Sequence, residues 1–372
     1  MESSHESPRL RITAAAIPKD RLAALGHAQL SLVEHALCPL DIARLGFPFT
    51  HETEYEFSDH NRHRRTASVR VVCPDGLSPT DELYLWGLLS LTFSQPKPST
   101  DFYATPYYCL RQLSCIDPKA SRSGGKNYAL FRQAISRLSL VSYRNSAFYD
   151  PVRGEHRDVS FGFLSYSLPI NSDSGRMWRF AWDPIFFEFC QAAAGALRFD
   201  FQLYRSLDPA SRRLYLLLKK IFWRNDTSPD FDLHDLAVNV LGFSGNNELK
   251  ILKRKITRCT EHLLEAGILC LPHGISDPKQ LFTKRSKGHY GIRFHRGPHF
   301  EQTTETVKQE LQDSPLYDPL QGIGLDDPTI ARILRTYDPR LIAELADMTL
   351  AAGERFGEKF FKTSRQAYFM DN

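Results

Sequence analysis

Between Asn246 and Arg258 the chain places five basic residues, Lys250, Lys253, Arg254, Lys255 and Arg258, against one acid, Glu248. At about 100° per residue of α-helix, Leu249, Leu252, Ile256, Cys259 and Leu263 fall within an arc of about 80°. Lys250, Lys253, Arg254, Thr257 and Arg258 fill a neighbouring arc of about 140°, with Lys255 to one side. One face of this helix is apolar and the next is cationic. The alternative reading is a solvated charged face, but such faces are normally mixed in sign and this one is one-sided. The chemistry it offers is recognition of a polyanion. Arginine can read guanine, and the Asn246 amide can pair with an adenine edge. Leu281 to His299 adds Lys284, Arg285, Lys287, Arg293 and Arg296 without a single acid. Ser286-Lys287-Gly288 suits a hairpin tip; the alternative is a plain surface loop. A cationic helix beside a cationic hairpin meets two needs of a duplex, because the helix reaches base edges in the major groove while the hairpin holds phosphates.

A milder version of the pattern sits upstream. Tyr128, Phe131, Ile135 and Leu138 share an arc of about 80°, and Lys126, Gln133 and Arg137 point away from it. Lys119 and Arg122 add charge to the preceding turn. The expected DNA contacts are therefore Asn246, Lys250, Lys253, Arg254, Thr257, Arg258, Lys284, Arg285 and Lys287, with Lys119, Arg122, Lys126, Gln133 and Arg137 from the upstream element. Asn127 carries an amide of the same kind.

Other chemistries find little footing. His295-Arg296-Gly297-Pro298-His299 lacks the His-apolar-His spacing and the carboxylate of a nicking-enzyme metal site. Gly124-Gly125-Lys126 lacks the first glycine and the Lys-Ser/Thr ending of a phosphate loop. Asp226 and Asp230, like Asp232 and Asp235, read as helix caps rather than metal pairs. No catalytic residue, metal or cofactor is expected.

The elements that must position these residues recur. Ser78-Pro79-Thr80-Asp81-Glu82 combines a capping serine, a first-turn proline and first-turn acids. Leu207-Asp208-Pro209 opens a second helix in the same way. Each helix ends in aromatics (Phe93; Phe222-Trp223). Each is followed by a short helix, a turn, a longer helix and β-like runs. For the first copy, Val141–Tyr149 and Val159–Leu168 read as a hairpin, and three helices with a hairpin describe a winged helix; a generic small α+β domain is the alternative. The expected fold is α+β and helix-rich, with two tandem winged-helix domains and a helical C-terminal tail. Residues 1–65 read as an N-terminal extension, partly irregular, with a short helix over Asp20–Ala28. The first winged helix spans 66–183, a helical connector 184–207 and the second winged helix 208–300. A polar linker occupies 301–326 and the helical tail 327–372.

The chain resembles the plasmid replication initiator protein A family of tandem winged-helix bacterial initiators. The resemblance rests on Ser31-Leu32-Val33-Glu34 with Pro39-Leu40, Asp81 to Phe93, Phe102-Tyr103 through Leu113, and Tyr128 to Leu138. It continues through Phe180 to Phe187, Leu203 to Leu207, Arg213 to Phe222, Phe231 to Leu236, Leu252 to Ile256 and Leu264 to Leu269. It implies recognition of origin repeats (iterons) in double-stranded DNA, strand opening and recruitment of host replication proteins. It also implies a homodimer that represses its own promoter. A winged-helix regulator without a replication role is the alternative.

Composition agrees with a globular chain. Of 372 residues, 42% are hydrophobic and 24% charged, which excludes wholesale disorder. The net charge of +4 is too small to argue from; the placement of the cations carries the reading. The apolar run Leu83–Leu91, broken by Gly87 and Ser90, is shorter than the roughly 20 residues a bilayer requires. The seven cysteines lack metal-site spacing and read as reduced thiols, which with the polar start at Glu2–Ser7 gives a cytoplasmic expectation.

Overall fold

The structure is a computed structural model that describes residues 25–40, 47–58, 63–95, 97–116, 124–171, 176–300, 314, 316–337 and 339–371. It mixes helices with antiparallel sheets, as an α+β chain should, and divides into units Met1–Arg296 and Gly297–Asn372. The larger unit begins with β1 (Leu25–Gln29) and the hairpin β2 (Phe49–Ser58) and β3 (Arg64–Cys73). Then come α1 (Pro79–Phe93), β4 (Asp101–Ala104), α2 (Pro106–Gln112) and α3 (Gly124–Leu138). The strands β5 (Ser142–Asp150), β6 (Glu155–Phe161), β7 (Leu164–Ser167) and β8 (Trp178–Trp182) follow. A bridging segment of α4 (Pro184–Gln191), β9 (Ala196–Asp200) and α5 (Phe201–Ser206) leads into α6 (Pro209–Phe222). Beyond it lie β10 (Phe231–Asp232) and α7 (Leu233–Asp235), which runs on as a π-turn over Leu236–Val240. The unit ends with α8 (Leu249–Glu265), β11 (Leu269–Cys270), β12 (Phe282–Ser286), β13 (His289–Ile292) and β14 (His295–Arg296).

Two stretches share one topology: helix, strand, helix, helix, hairpin. Their three-stranded sheets run β4-β8-β7 and β10-β13-β12, so in both the first strand pairs with the last. The starts of both repeats follow from local chemistry. Ser78 and Asp81 form a reciprocal capping box around Pro79, while Asp208 caps α6 by accepting from the amides of Ala210 and Ser211. Proline at the first position has no N–H to leave unsatisfied.

Several boundaries differ from the sequence reading. The hairpin β5–β6, expected as the wing of the first repeat, joins a four-stranded sheet of order β2-β3-β5-β6. The connection that closes the first repeat is β7–β8 instead. Alternation made β5 and β6 legible as strands, yet it carries no information about their partner. That partner is β3, and β2 beyond it lies in the stretch read as an irregular extension, so a boundary at residue 65 cuts through a continuous sheet. Leu25–Gln29 is a strand paired with Ala196–Asp200 rather than the end of a helix. The connector 184–207 therefore contains a strand as well as helices. The rest of the expected short helix lies outside the described residues.

The repeats are joined through a buried ion pair. Arg213 on α6 donates from Nε and Nη2 to the Glu82 carboxylate of α1, at 2.9 and 2.6 Å, and from Nη1 to the Leu241 carbonyl at 2.6 Å. Both ionised side chains are more than nine-tenths buried. Burial opposes the Arg213 charge, but the Glu82 carboxylate outweighs it and the guanidinium pKa is raised. The N-terminal segment braces the same junction: Ala36 N donates to Asn239 O and Leu40 N to Gly242 O. Gly242 has φ +80°, and a Cβ there would meet Arg213 Nη1 at 2.4 Å. Only glycine fits.

In the smaller unit, α9 (Tyr317–Gly322), α10 (Asp327–Thr336), α11 (Pro339–Phe356) and α12 (Arg365–Asp371) pack Leu320, Ile323, Ile330, Ile333, Ile342 and Phe369 into a core. The expected linker thus ends early: Tyr317 to Leu325 is folded, with Tyr317, Leu320, Ile323 and Leu325 buried in that core. Residues 301–313 lie outside the described residues. Among the described residues no helix is long and apolar enough to cross a membrane.

Candidate nucleic-acid interface

The outer face of α8 is the most strongly charged helical surface that the sequence singled out. Leu252, Ile256, Thr257, Cys259, Thr260 and Leu263 are buried. Lys250, Arg254 and Arg258, one turn apart, are exposed in a single stripe. No acid occupies its first turn. Asn246 is exposed in the preceding turn, while Asn247 donates to Ser244 O at 3.0 Å and holds that turn in shape.

Two residues assigned to this face do other things. Thr257 is buried and its hydroxyl donates to the Lys253 carbonyl at 2.9 Å. Lys253 is half-buried, with Nζ 3.3 Å from the Tyr290 ring centroid and 5.1 Å from that of Phe282. It pins the helix to the hairpin through cation–π contact. The buried arc is wider than apolar spacing alone suggests, because α8 is enclosed by α6, by α7 and by the turn Pro278–Leu281.

The hairpin β12–β13 stands beside the stripe. Thr283, Lys284, Arg285, Ser286 and Lys287 are exposed, and Gly288 makes the turn at φ +84°. Arg285 is engaged locally: its Nη2 pairs with Asp230 Oδ2 at 2.8 Å and donates to Asp230 O at 2.9 Å. Among the described residues, Lys250, Arg254, Arg258, Lys284 and Lys287 form no ion pair. A cavity of about 510 Å³ lies between the α8 N-terminus and the hairpin, lined by Asp232, His234, Asn247, Leu249, His289 and Tyr290 among others.

In the first repeat, α3 exposes Lys126 and Gln133 as expected, together with Arg132, which the sequence reading missed. The signal there was weaker: at about 100° per residue Arg132 falls on the flank, about 90° from the middle of the Phe131, Ile135 and Leu138 arc, and not opposite it with Lys126 and Gln133. Arg137 does not belong to this surface. It binds Asp81 in bidentate fashion at 2.7 and 2.8 Å, with the carboxylate fully buried. Asn127 donates to the Cys115 carbonyl at 2.9 Å, a structural bond. Lys119 and Arg122 lie outside the described residues.

The second repeat has a bond at the position of the Asp81–Arg137 contact. Asp208, at the start of α6, meets His262 Nδ1 in the last turn of α8 at 2.7 Å. Ser211 completes a serine, histidine and aspartate trio, but its hydroxyl donates to Asp208 at 2.5 Å, and both groups face the same ring nitrogen. Burial pushes the Asp208 pKa up, yet the bonds from Ser211 and His262 prevail and leave it below the usual range. Hydroxyl activation would need the histidine between serine and carboxylate, so this arrangement works as a latch. Asp232, as expected, caps α7.

No family model matches the chain, and no curated protein does. Among solved structures the chain is similar to the crystal structure of RctB domains 2-3. The identity is 13% and the TM-score 0.41, over 70% of this chain and 97% of that one. It is also similar to the selenomethionine derivatives of RctB domain 2 and domain 3, with 14% identity and a TM-score of 0.42 over 69% of this chain and 94% of that one. Likeness at this level assigns the chain to no family.

Proposed function

We propose that the chain is a double-stranded DNA-binding initiator of plasmid replication, with two winged helices that bind origin repeats without covalent chemistry, metal or cofactor. The observation that carries this reading is the unpaired stripe Lys250, Arg254 and Arg258 beside Lys284 and Lys287, on a helix and hairpin whose topology recurs in the first repeat. On this reading α3 and α8 are the recognition helices, entering major grooves about one turn, roughly 34 Å, apart. Phosphate contacts supply the affinity and make it fall with salt. The replication role, with strand opening, host-protein recruitment and a self-repressing homodimer, comes from the resemblance to plasmid initiators.

The deciding experiment is transformation with a plasmid whose origin fragment is present with or without this gene, paired with footprinting of the flanking DNA. Gene-dependent maintenance with periodic protection supports the initiator. Protection of one short palindrome without maintenance makes the protein a transcriptional regulator. Cleavage or a covalent adduct on origin DNA with divalent metal would make it an enzyme.

A further inference from the structure

The helix α11 of the smaller unit buries one arc and leaves the next one bare. Ile342, Ala346, Thr349 and Gly353 are buried. Beside them Leu341, Leu345, Met348, Ala352 and Phe356 fall within an arc of about 80°. Leu345 and Ala352 are half-buried, but Leu341 is 46%, Met348 50% and Phe356 62% exposed. Phe360, also exposed, stacks on Phe356 at 5.2 Å and extends the patch past the end of the helix. Contiguous apolar surface of this kind marks a contact with another molecule. The charges around it reject a polyanion, because the helix exposes Glu344, Asp347 and Glu354 against Arg355.

The spacing points to the partner. Leu341 and Phe356, like Leu345 and Ala352, lie equally far from a point just beyond Met348. Two copies of the helix, laid antiparallel about a two-fold axis at that point, would set Leu341 against Phe356 and Met348 beside its own counterpart. The outer flank is self-complementary as well. Glu344 and Arg355 share it, within about 40° of the stripe, and among the described residues neither forms an ion pair. The same two-fold brings Glu344 of one copy to within about 3 Å, measured along the helix, of Arg355 of the other, and does so twice. An isologous dimer requires this pattern, in which residue i meets j while j meets i.

We propose that the outer stripe of α11 is a homodimer interface, occupied by the same helix of a second copy running antiparallel and flanked by two Glu344–Arg355 pairs. The proposal rests on the homodimer of the reading above and gives it a surface; it requires no DNA contact.

The test is sedimentation equilibrium of the full chain without DNA, with circular dichroism as the check on folding. The wild type is expected to be a dimer at micromolar concentration. Met348→Glu sets two carboxylates at the axis and should raise the dimer dissociation constant on the order of a hundredfold. Glu344→Arg alone and Arg355→Glu alone oppose like charges and should each raise it by about tenfold. Combining the two should restore the wild-type value. A folded Met348→Glu chain as dimeric as the wild type, or a double swap no tighter than either single one, overturns this interface and leaves a homodimer formed elsewhere. A monomeric wild type removes the homodimer and the interface together, while the DNA-binding reading stands or falls by footprinting.

Discussion

The two repeats share one order of elements and differ in what they place at equivalent points. In the first, the end of α3 is tied to the start of α1 by Arg137 and a fully buried Asp81. In the second, the end of α8 is tied to the start of α6 by His262 and Asp208, each about one-third exposed. The exposed face of α3 carries Lys126, Gln133 and Arg132, and its hairpin β7–β8 exposes Tyr166, Ile170 and Met177 beside Arg179, which is paired with Asp101. The corresponding face of α8 carries Lys250, Arg254 and Arg258, and its hairpin is cationic. A fold is conserved by its caps and core contacts, so its outer faces are free to diverge. The difference teaches that topology alone does not fix the charge a repeat presents on its outer face.

The comparison can be broken first at the joint. Arg213→Ala leaves Glu82 buried and unpaired and should destabilise the larger unit by about 3–5 kcal/mol in urea titration, whereas Glu82→Leu with Arg213→Met should come close to wild type. Next comes the charge asymmetry. Replacing Lys250, Arg254 and Arg258 by Ala should lower the log–log salt slope of DNA binding by about three, with circular dichroism unchanged. Lys126→Ala with Arg132→Ala should lower it by less than two. An equal loss from both repeats would refute the asymmetry. The latches offer a third contrast: Arg137→Ala should cost about 3 kcal/mol because it strands a buried carboxylate, and His262→Ala about 1 kcal/mol or less.

The smallest effect concerns pH. Burial holds His27 and His51 down at about 4 and His35 at about 3, with the positive charge of Lys220, and of His51 once it takes up a proton, adding to the effect at His35. These rings are neutral when folded and take up protons on unfolding below about pH 6.5. Stability should therefore be full above that value and fall as the pH drops toward 4 and 3. Replacing His35 by Gln should flatten the fall between pH 7 and 6 by about 0.7 kcal/mol, and an unchanged slope would show that His35 is not responsible.

Much of this was legible in the sequence. Ser78-Pro79 and Asp208-Pro209 announced both repeat starts, because capping is chemistry between near neighbours. The apolar spacing of α3 and α8 announced their buried faces, and the run Lys284 to Gly288 announced the second hairpin. What stayed hidden required knowledge of neighbours. Thr257 and Arg137 sit on the cationic side of their helices by angle alone, but another element covers the first and Asp81 captures the second. The alternation of Glu52, Glu54 and Glu56 with Thr53, Tyr55 and Phe57 marks β2, yet the prolines and charges around it obscured the strand. The strands expected as the first wing, β5 and β6, belong to another sheet: β5 alternates as cleanly as a wing strand, and only its pairing with β3 reveals its place.

The Arg213–Glu82 pair has a consequence for any DNA target. A loosely tethered pair of binding heads would tolerate variable spacing between its half-sites, whereas on the proposed DNA-binding reading two heads locked by a buried guanidinium would act as a ruler. Inserting about five base pairs, half a helical turn, between half-sites should present the second groove on the wrong side of the duplex and abolish joint engagement. Inserting about ten should largely restore the angular phase while leaving the distance wrong.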